Sequence, residues 1–169
     1  LPLRLSLLSG IHRRDLITRQ EQHTTYNYRG GRYDTDKRRY CGYYRVDETD
    51  DCGESNKRND TPLQRPRLRR RWYHTGAAGD AVKREGYFSS PVISDSLLTR
   101  WQERKDQIIA DNSVPSLHYA LKGALLREEL FDSEDTAVPF SVQEHRYQIR
   151  LLQQNGDIIC AAPLLLETL

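Results

Sequence analysis

The stretch QRPRLRRRWYHTGAAG, residues 64–79, places five arginines within seven positions, immediately before a Trp-Tyr pair. It also divides the charge of the chain. Residues 1–75 contain 17 Lys or Arg against 10 Asp or Glu, whereas residues 76–169 contain 9 against 14. This uneven division favours a basic segment that meets a polyanion and an acidic remainder that faces other proteins.

The residues before this stretch are rich in tyrosine and arginine and poor in aliphatic side chains. In the segment TTYNYRGGRYDTDKRRYCGYY, residues 24–44, Tyr26 and Tyr28 alternate as in a strand. Gly30-Gly31 is a turn signal, so the segment predicts a short hairpin. The polar, turn-rich residues 47–62 predict an exposed link. We therefore expect residues 1–85 to form a basic N-terminal region that is largely extended or becomes ordered on a partner.

Periodic apolar residues after Gly86 predict two helices. The first carries its apolar residues on one face at helical spacing, namely Leu97, Leu98, Trp101, Ile108 and Ile109. Val114-Pro115 interrupts the pattern, because the residue before a proline avoids the helical region. The second helix is predicted for SLHYALKGALLREELF, residues 116–131. A short connection between two amphipathic helices predicts an antiparallel helical hairpin over residues 95–131.

The C-terminal residues predict a β-hairpin. Tyr147, Ile149 and Leu151 alternate with polar residues, and Asn155-Gly156 is the strongest short turn signal in the chain. Two strands are expected, over residues 146–153 and 157–162. Residues 86–169 are thus predicted to form a small α+β domain. The predicted fold class is α+β, with a long basic N-terminal extension, a helical hairpin and a C-terminal β-hairpin.

The sequence contains no recognisable catalytic signature. The five histidines never occur as HxH or HExxH, and the three cysteines form no CxxC. GAAG at residues 76–79 lacks the Lys and Ser/Thr that follow in a phosphate-binding loop. We therefore expect a non-catalytic protein without cofactor or metal, although a dispersed active site would leave no local pattern. No run approaches the roughly 20 apolar residues of a membrane span.

Arginines interleaved with aromatic residues are typical of RNA-binding segments, because guanidinium groups pair with phosphates and aromatic rings stack on unpaired bases. Arginine and tyrosine are also enriched in protein interfaces, so a protein partner is an equal alternative. The candidate RNA or partner contacts are Arg29, Arg32, Arg38, Arg39, Arg65, Arg67, Arg69, Arg70, Arg71, Trp72 and Tyr73.

These features suggest a non-catalytic structural RNA-binding subunit of a large ribonucleoprotein, in particular an organellar (mitochondrial) ribosome. Its partners would be ribosomal RNA and neighbouring protein subunits, in a hetero-assembly. The first twenty residues are arginine-rich and acid-poor, as transit segments are. One alternative is a protein-only accessory subunit of a mitochondrial membrane complex. Another is a small viral RNA-binding or coat protein, and a cytoplasmic location also stays open.

Overall fold

The computed structural model describes residues 5–51, 57–58, 61–62, 66–76, 108–109, 115–132, 135–156 and 158–168. Strands account for most of them. In chain order they are β1 (Gly10–Arg14), β2 (Glu21–Asp34), β3 (Arg39–Asp51), β4 (Lys57–Arg58), β5 (Thr61–Pro62), β6 (Arg67–Tyr73), β7 (Ile108–Ile109), β8 (Leu125–Asp132), β9 (Ser141–Asn155) and β10 (Ile158–Thr168). A 3₁₀ helix, Pro115–Leu121, precedes β8.

One antiparallel sheet organises these strands, in the order β1-β2-β3-β6-β8-β9-β10. Strand β7 adds a two-residue parallel pairing to β9, and β4 pairs with β5 in a separate small sheet. The main sheet contains strands from both sides of residue 85, and the predicted boundary at that residue lies outside the described residues. Among the described residues, no helix has the length and apolar character needed to cross a membrane.

Two groups of buried side chains hold the sheet together. Leu68 and Trp72 of β6 and Phe131 of β8 are buried, and Phe131 lies directly opposite Leu68. The second group contains Leu117 and Leu121 of the 3₁₀ helix, which pack on Ile149 of β9. The helix therefore covers the β9-β10 end of the sheet, while the first group lies at the centre.

The predicted α+β fold is wrong, because the described residues form an antiparallel β-sheet without a helical hairpin. The second predicted helix, residues 116–131, is a 3₁₀ turn followed by strand β8. Gly123 separates the two with a φ of +83°, a left-handed conformation that a helix interior does not contain. Most of the first predicted helix lies outside the described residues, and Ile108–Ile109 at its end is strand β7.

The two predicted hairpins have different outcomes. Strands β9 and β10 do pair around Asn155-Gly156, and both are longer than expected. The N-terminal turn, in contrast, was placed wrongly. Gly30 and Gly31 lie inside β2, and the chain turns at residues 35–38. Gly30 has a φ of +61°, and the ring of Tyr44 packs against its backbone from β3.

We predict that Gly30→Ala destabilises the protein by about 2 kcal/mol or more, because a Cβ atom would collide with the Tyr44 ring and the φ angle would be strained. Gly42→Ala is the matched control, since Gly42 also has a positive φ, +97°, but no atom lies within 4 Å of an added Cβ. Urea unfolding should show a larger loss for Gly30→Ala. In a Tyr44→Ala background, the cost of Gly30→Ala should fall to that of the control. Equal losses for the two single variants would contradict the packing argument.

Candidate functional site

Trp72 lies at the centre of the sheet and is surrounded by cations. Its side chain is only 1% exposed. The guanidinium carbons of Arg45, Arg70 and Arg127 lie 5.8, 5.9 and 5.6 Å from its ring centroid. Arg45 of β3 and Arg127 of β8 are directly opposite Trp72 in the strand register. The register therefore brings three cations within cation-π range of one buried ring.

Three carboxylates neutralise these cations. Asp47 accepts hydrogen bonds from Arg45 Nε at 2.7 Å and from Arg70 Nε at 3.2 Å. Arg127 Nε donates to Glu129 at 2.9 Å, and Arg127 NH1 donates to Glu144 at 2.7 Å. Glu129 also lies 4.0 Å from Arg70 NH1. We call this set the tryptophan-face network: Arg45, Asp47, Arg70, Trp72, Arg127, Glu129 and Glu144.

The tryptophan-face network alternates positive and negative charge across four strands. The side chains of Arg127 and Glu129 are 0% and 2% exposed, so their charges are held away from water. Removing one partner from such a pair leaves an uncompensated buried charge, which costs far more than the intact pair contributes. The network therefore selects one strand order and one register, because each change of register separates opposite charges.

A second set of charges lies on the other face of the same strands. Arg71 binds Glu128 through Nε at 2.6 Å and Glu48 through NH1 at 2.8 Å. Arg69 lies 3.7 Å from each of the same two carboxylates. We call these four residues the opposite-face network. Burial lowers the pKa of Arg71, but the hydrogen bond to Glu128 and the charge of Glu48 outweigh it and raise the pKa overall.

The predicted contact residues that the structure describes form three groups. Arg69, Arg70 and Arg71 pair with acids of neighbouring strands, and Trp72 is buried on the same face as Arg70. Arg29, Arg32, Arg38 and Arg67 are exposed, and Tyr73 is half-buried. Burial raises the pKa of Tyr73, and the charge of Arg71 offsets part of that increase. Arg65 lies outside the described residues. Their role as partner contacts stays a prediction.

Arg39 belongs to a third group, which joins the start of β3 to the 3₁₀ helix. Its guanidinium carbon lies 3.5 Å from the ring centroid of Tyr119. Lys122, just after the helix, donates from Nζ to the carbonyl oxygen of Tyr40 at 2.8 Å. These contacts help the tyrosine-rich segment to fold without aliphatic residues, since its Arg39 stacks on a ring from a distant part of the chain and its backbone accepts a hydrogen bond from Lys122.

Two buried histidines connect β6 to the 3₁₀ helix. The rings of His74 and His118 are stacked, with centroids 5.9 Å apart and an interplanar angle of 17°. The Nδ1 atom of His74 accepts a hydrogen bond from the Gly76 amide at 2.8 Å. Neither ring nitrogen of His118 has a hydrogen-bond partner among the described residues. Burial lowers the pKa of His118, which favours the neutral ring.

One group of polar residues was missed by the sequence analysis. His12, Glu21 and His23 place ligand atoms within 4.8 Å of one another, although no metal site was expected. Glu21 and His23 are two residues apart, so a strand places them on one face. His12 joins them only through the pairing of β1 with β2, which no local motif indicates.

These features define an all-β segment whose central cations are paired within its own sheet. Comparisons with known proteins show which proteins contain similar segments. Residues 116–169 match the model of the insecticide toxin TcdB middle/C-terminal region. A search of curated proteins gives no match.

Solved structures similar to the chain are toxin components. A structure of TcdB2-TccC3 with Cdc42 is 25% identical over 97% of this chain, with a TM-score of 0.66. A Tc holotoxin pore of Photorhabdus luminescens is 26% identical over 90%, with a TM-score of 0.61. TcdB2-TccC3 without its hypervariable C-terminal region is 23% identical over 93%, with a TM-score of 0.65. The chain spans 8% of the length of each of these proteins.

The prediction of a ribosomal RNA-binding subunit in the mitochondrion is wrong, because the matching family model and structures are those of toxin components. The predicted RNA partner is wrong for the same reason. So are the alternatives of a mitochondrial membrane complex, a viral protein and a cytoplasmic location. The physical reason lies in the arginine run. Its central cations meet carboxylates from β3 and β8, where the sequence analysis expected phosphates.

We predict that Arg127→Met destabilises the protein by about 3 to 5 kcal/mol, because it leaves Glu129 and Glu144 without their shared cation in a buried position. Arg69→Met is the control on the opposite face. Its side chain is 38% exposed, so it should cost less than about 1 kcal/mol. Chemical denaturation measures both losses. A similar cost for the two variants would contradict the role assigned to burial.

We predict that His118 makes the protein less stable in acid. Because its folded pKa is lowered, the unfolded chain binds this proton more readily, so the free energy of unfolding decreases as pH falls below the ordinary value of 6.5. In His118→Leu this part of the pH dependence should disappear, as urea unfolding at about pH 5 and about pH 8 would show. Leu117→Ala, which perturbs the same helix without removing a titratable group, serves as the control and should keep the wild-type difference. A wild-type difference in His118→Leu would refute the assignment.

Proposed function

We propose that the chain is a non-catalytic structural sheet segment of a Tc-toxin-like component, with toxin proteins as its partners. The observation that carries the proposal is the likeness of 90% or more of the chain to parts of TcdB2-TccC3 and of a Tc holotoxin pore. The match of residues 116–169 to the TcdB middle/C-terminal region supports it independently from sequence.

The distribution of charge supports a structural role. In both networks, arginines and carboxylates from adjacent strands pair with each other. A sheet stabilised in this way keeps a fixed strand order without an extensive apolar core. Such a segment suits a large protein in which the sheet continues through further strands, because its stability comes from pairing between neighbours.

The end of the sheet at β10 supports contact with further protein. Strand β10 is the last strand of the path, and its pairing among the described residues is with β9. Large apolar side chains at this end are 40 to 75% exposed: Leu151, Leu152, Ile158, Leu164, Leu165 and Leu166. Exposed apolar patches and unpaired strand edges mark interaction surfaces. Consecutive leucines of a strand face opposite sides of the sheet, so these side chains flank the edge of β10 that carries no further strand among the described residues. We propose that this edge, the β10 patch, packs against another part of the toxin assembly.

The test is assembly of the toxin protein that contains this chain. We predict that the double substitution Leu164→Lys and Leu166→Lys weakens assembly with its partner subunits by about tenfold or more, since it places two charges in a desolvated contact. Size-exclusion chromatography and titration of the purified subunits measure the effect. The control is Ile17→Lys, because Ile17 is 93% exposed and lies in the loop between β1 and β2.

Two results would contradict the proposal. Unchanged assembly of the double variant would exclude the β10 patch as a contact. A protein that co-purifies with RNA and loses its partners on nuclease treatment would exclude the toxin role itself. Crosslinking of the tagged protein in its source cell, followed by mass spectrometry, should instead connect β10 to toxin subunits with and without nuclease.

A further inference from the structure

The β1-β2 pairing brings two imidazoles and one carboxylate together near the end of the sheet. His12 and His23 are directly opposite each other in the register, and their rings are stacked with centroids 4.1 Å apart. Glu21 lies two residues before His23, so its side chain projects from the same face of β2. Its Oε2 atom is 3.7 Å from His12 Nε2 and 4.0 Å from His23 Nε2.

These distances are close to those of a metal coordination shell. Bonds from zinc to imidazole nitrogen and carboxylate oxygen measure about 2.0 to 2.2 Å, which puts two ligand atoms of a tetrahedron about 3.3 to 3.6 Å apart. The three ligand atoms here lie within 4.8 Å of one another, so small side-chain rotations bring them into range. The side chains of His12, Glu21 and His23 are 52, 26 and 45% exposed, which leaves a fourth position open to water.

We propose that His12 Nε2, Glu21 Oε2 and His23 Nε2 form a binding site for a divalent transition metal of the zinc class. Imidazole nitrogen suits zinc, copper and nickel, whereas magnesium and calcium take oxygen ligands. Two histidines and one carboxylate with an open fourth position are also a ligand set that zinc uses in proteins.

Arg14 bears on this site in two ways. Its Nε atom lies 3.3 Å from Glu21 Oε1, the oxygen that the metal does not need. This contact orients the carboxylate with Oε2 towards the histidines, as outer partners of metal ligands commonly do. Its charge also repels a cation, so the two effects of Arg14 oppose each other. The variant Arg14→Gln should therefore still bind zinc through His12, Glu21 and His23.

The consequence of binding is a crosslink between two strands. Strand β1 has five residues and pairs with β2 at one end of the sheet. A metal held by His12 on one strand and by Glu21 and His23 on the other stabilises that pairing, because the site exists only when the strands are in register. The bound metal therefore holds β1 in its pairing with β2.

Isothermal titration of the full chain with ZnCl₂, under reducing conditions, tests the site. We expect His12→Ala and His23→Ala each to weaken zinc affinity by about 100-fold, because each removes one of three protein ligands. His145→Ala, a histidine on β9 far along the strand order, should keep wild-type affinity. Cobalt(II) should give the intense visible absorption of a tetrahedral site in the wild type and in His145→Ala, but not in His12→Ala or His23→Ala. Magnesium should give no binding.

Hydrogen exchange supplies a second readout. Zinc should slow exchange of the β1 amides in the wild type and leave them unchanged in His12→Ala, whose circular dichroism should match that of the wild type. Zinc binding that is unaffected by both histidine substitutions would overturn the proposal. So would binding that is lost in Cys160→Ser, because Cys160 is an exposed free thiol and would then be the ligand.

Discussion

The structure depends on pairing the charge of Arg127 inside the sheet. A guanidinium with no exposed surface is tolerated only when carboxylates pair with it, and Glu129 of the same strand, β8, and Glu144 of β9 do so. Asp47 extends the same arrangement to Arg70 and Arg45, so β3, β6, β8 and β9 are connected through one set of charges. The order of the central strands follows from this requirement. Trp72 supplies the ring around which the cations gather, and the β9-β10 end relies on the 3₁₀ helix instead.

The C-terminal hairpin is the part of the fold that the sequence predicted correctly. Asn155-Gly156 specifies a tight turn through its own backbone preferences, so the C-terminal hairpin could be found from sequence. Strand β8 could not be found from the sequence, because the spacing of its leucines also fits a helical period. The alternation of buried and exposed residues that is typical of a strand appears only when Arg127 and Glu129 are counted as buried. A charged residue is assigned to the surface by default. That assumption failed here because Arg127 pairs with Glu129 on its own strand and with Glu144, which only strand pairing brings close.

The candidate sites could also be predicted only in part, because their residues meet through strand pairing. The arginine run was recognisable as a cluster of cations, but Glu128, which pairs with Arg71, is 57 positions away in the chain. Three successive arginines at 69, 70 and 71 also face opposite sides of a strand, so the run is two sets of contacts and not one strip. His12 and His23 are likewise separated in sequence and adjacent only in the register. Sequence identified the residue types, and strand pairing determined what each could do.

The spacing of the tryptophan-face network along the chain has a consequence for synthesis on the ribosome. Arg45, Asp47, Arg70 and Trp72 emerge early, whereas Arg127, Glu129 and Glu144 follow more than fifty residues later. Strands β3 and β6 can pair first. Until β8 has been synthesised, Arg71 has no contact with Glu128 and one edge of β6 is unpaired. Sheets with such distant pairings fold slowly and expose unpaired edges while they do so. The nascent chain therefore passes through a period in which four arginines of the two networks share only Asp47 and Glu48, and its central sheet carries an excess of positive charge until β8 adds Glu128 and Glu129.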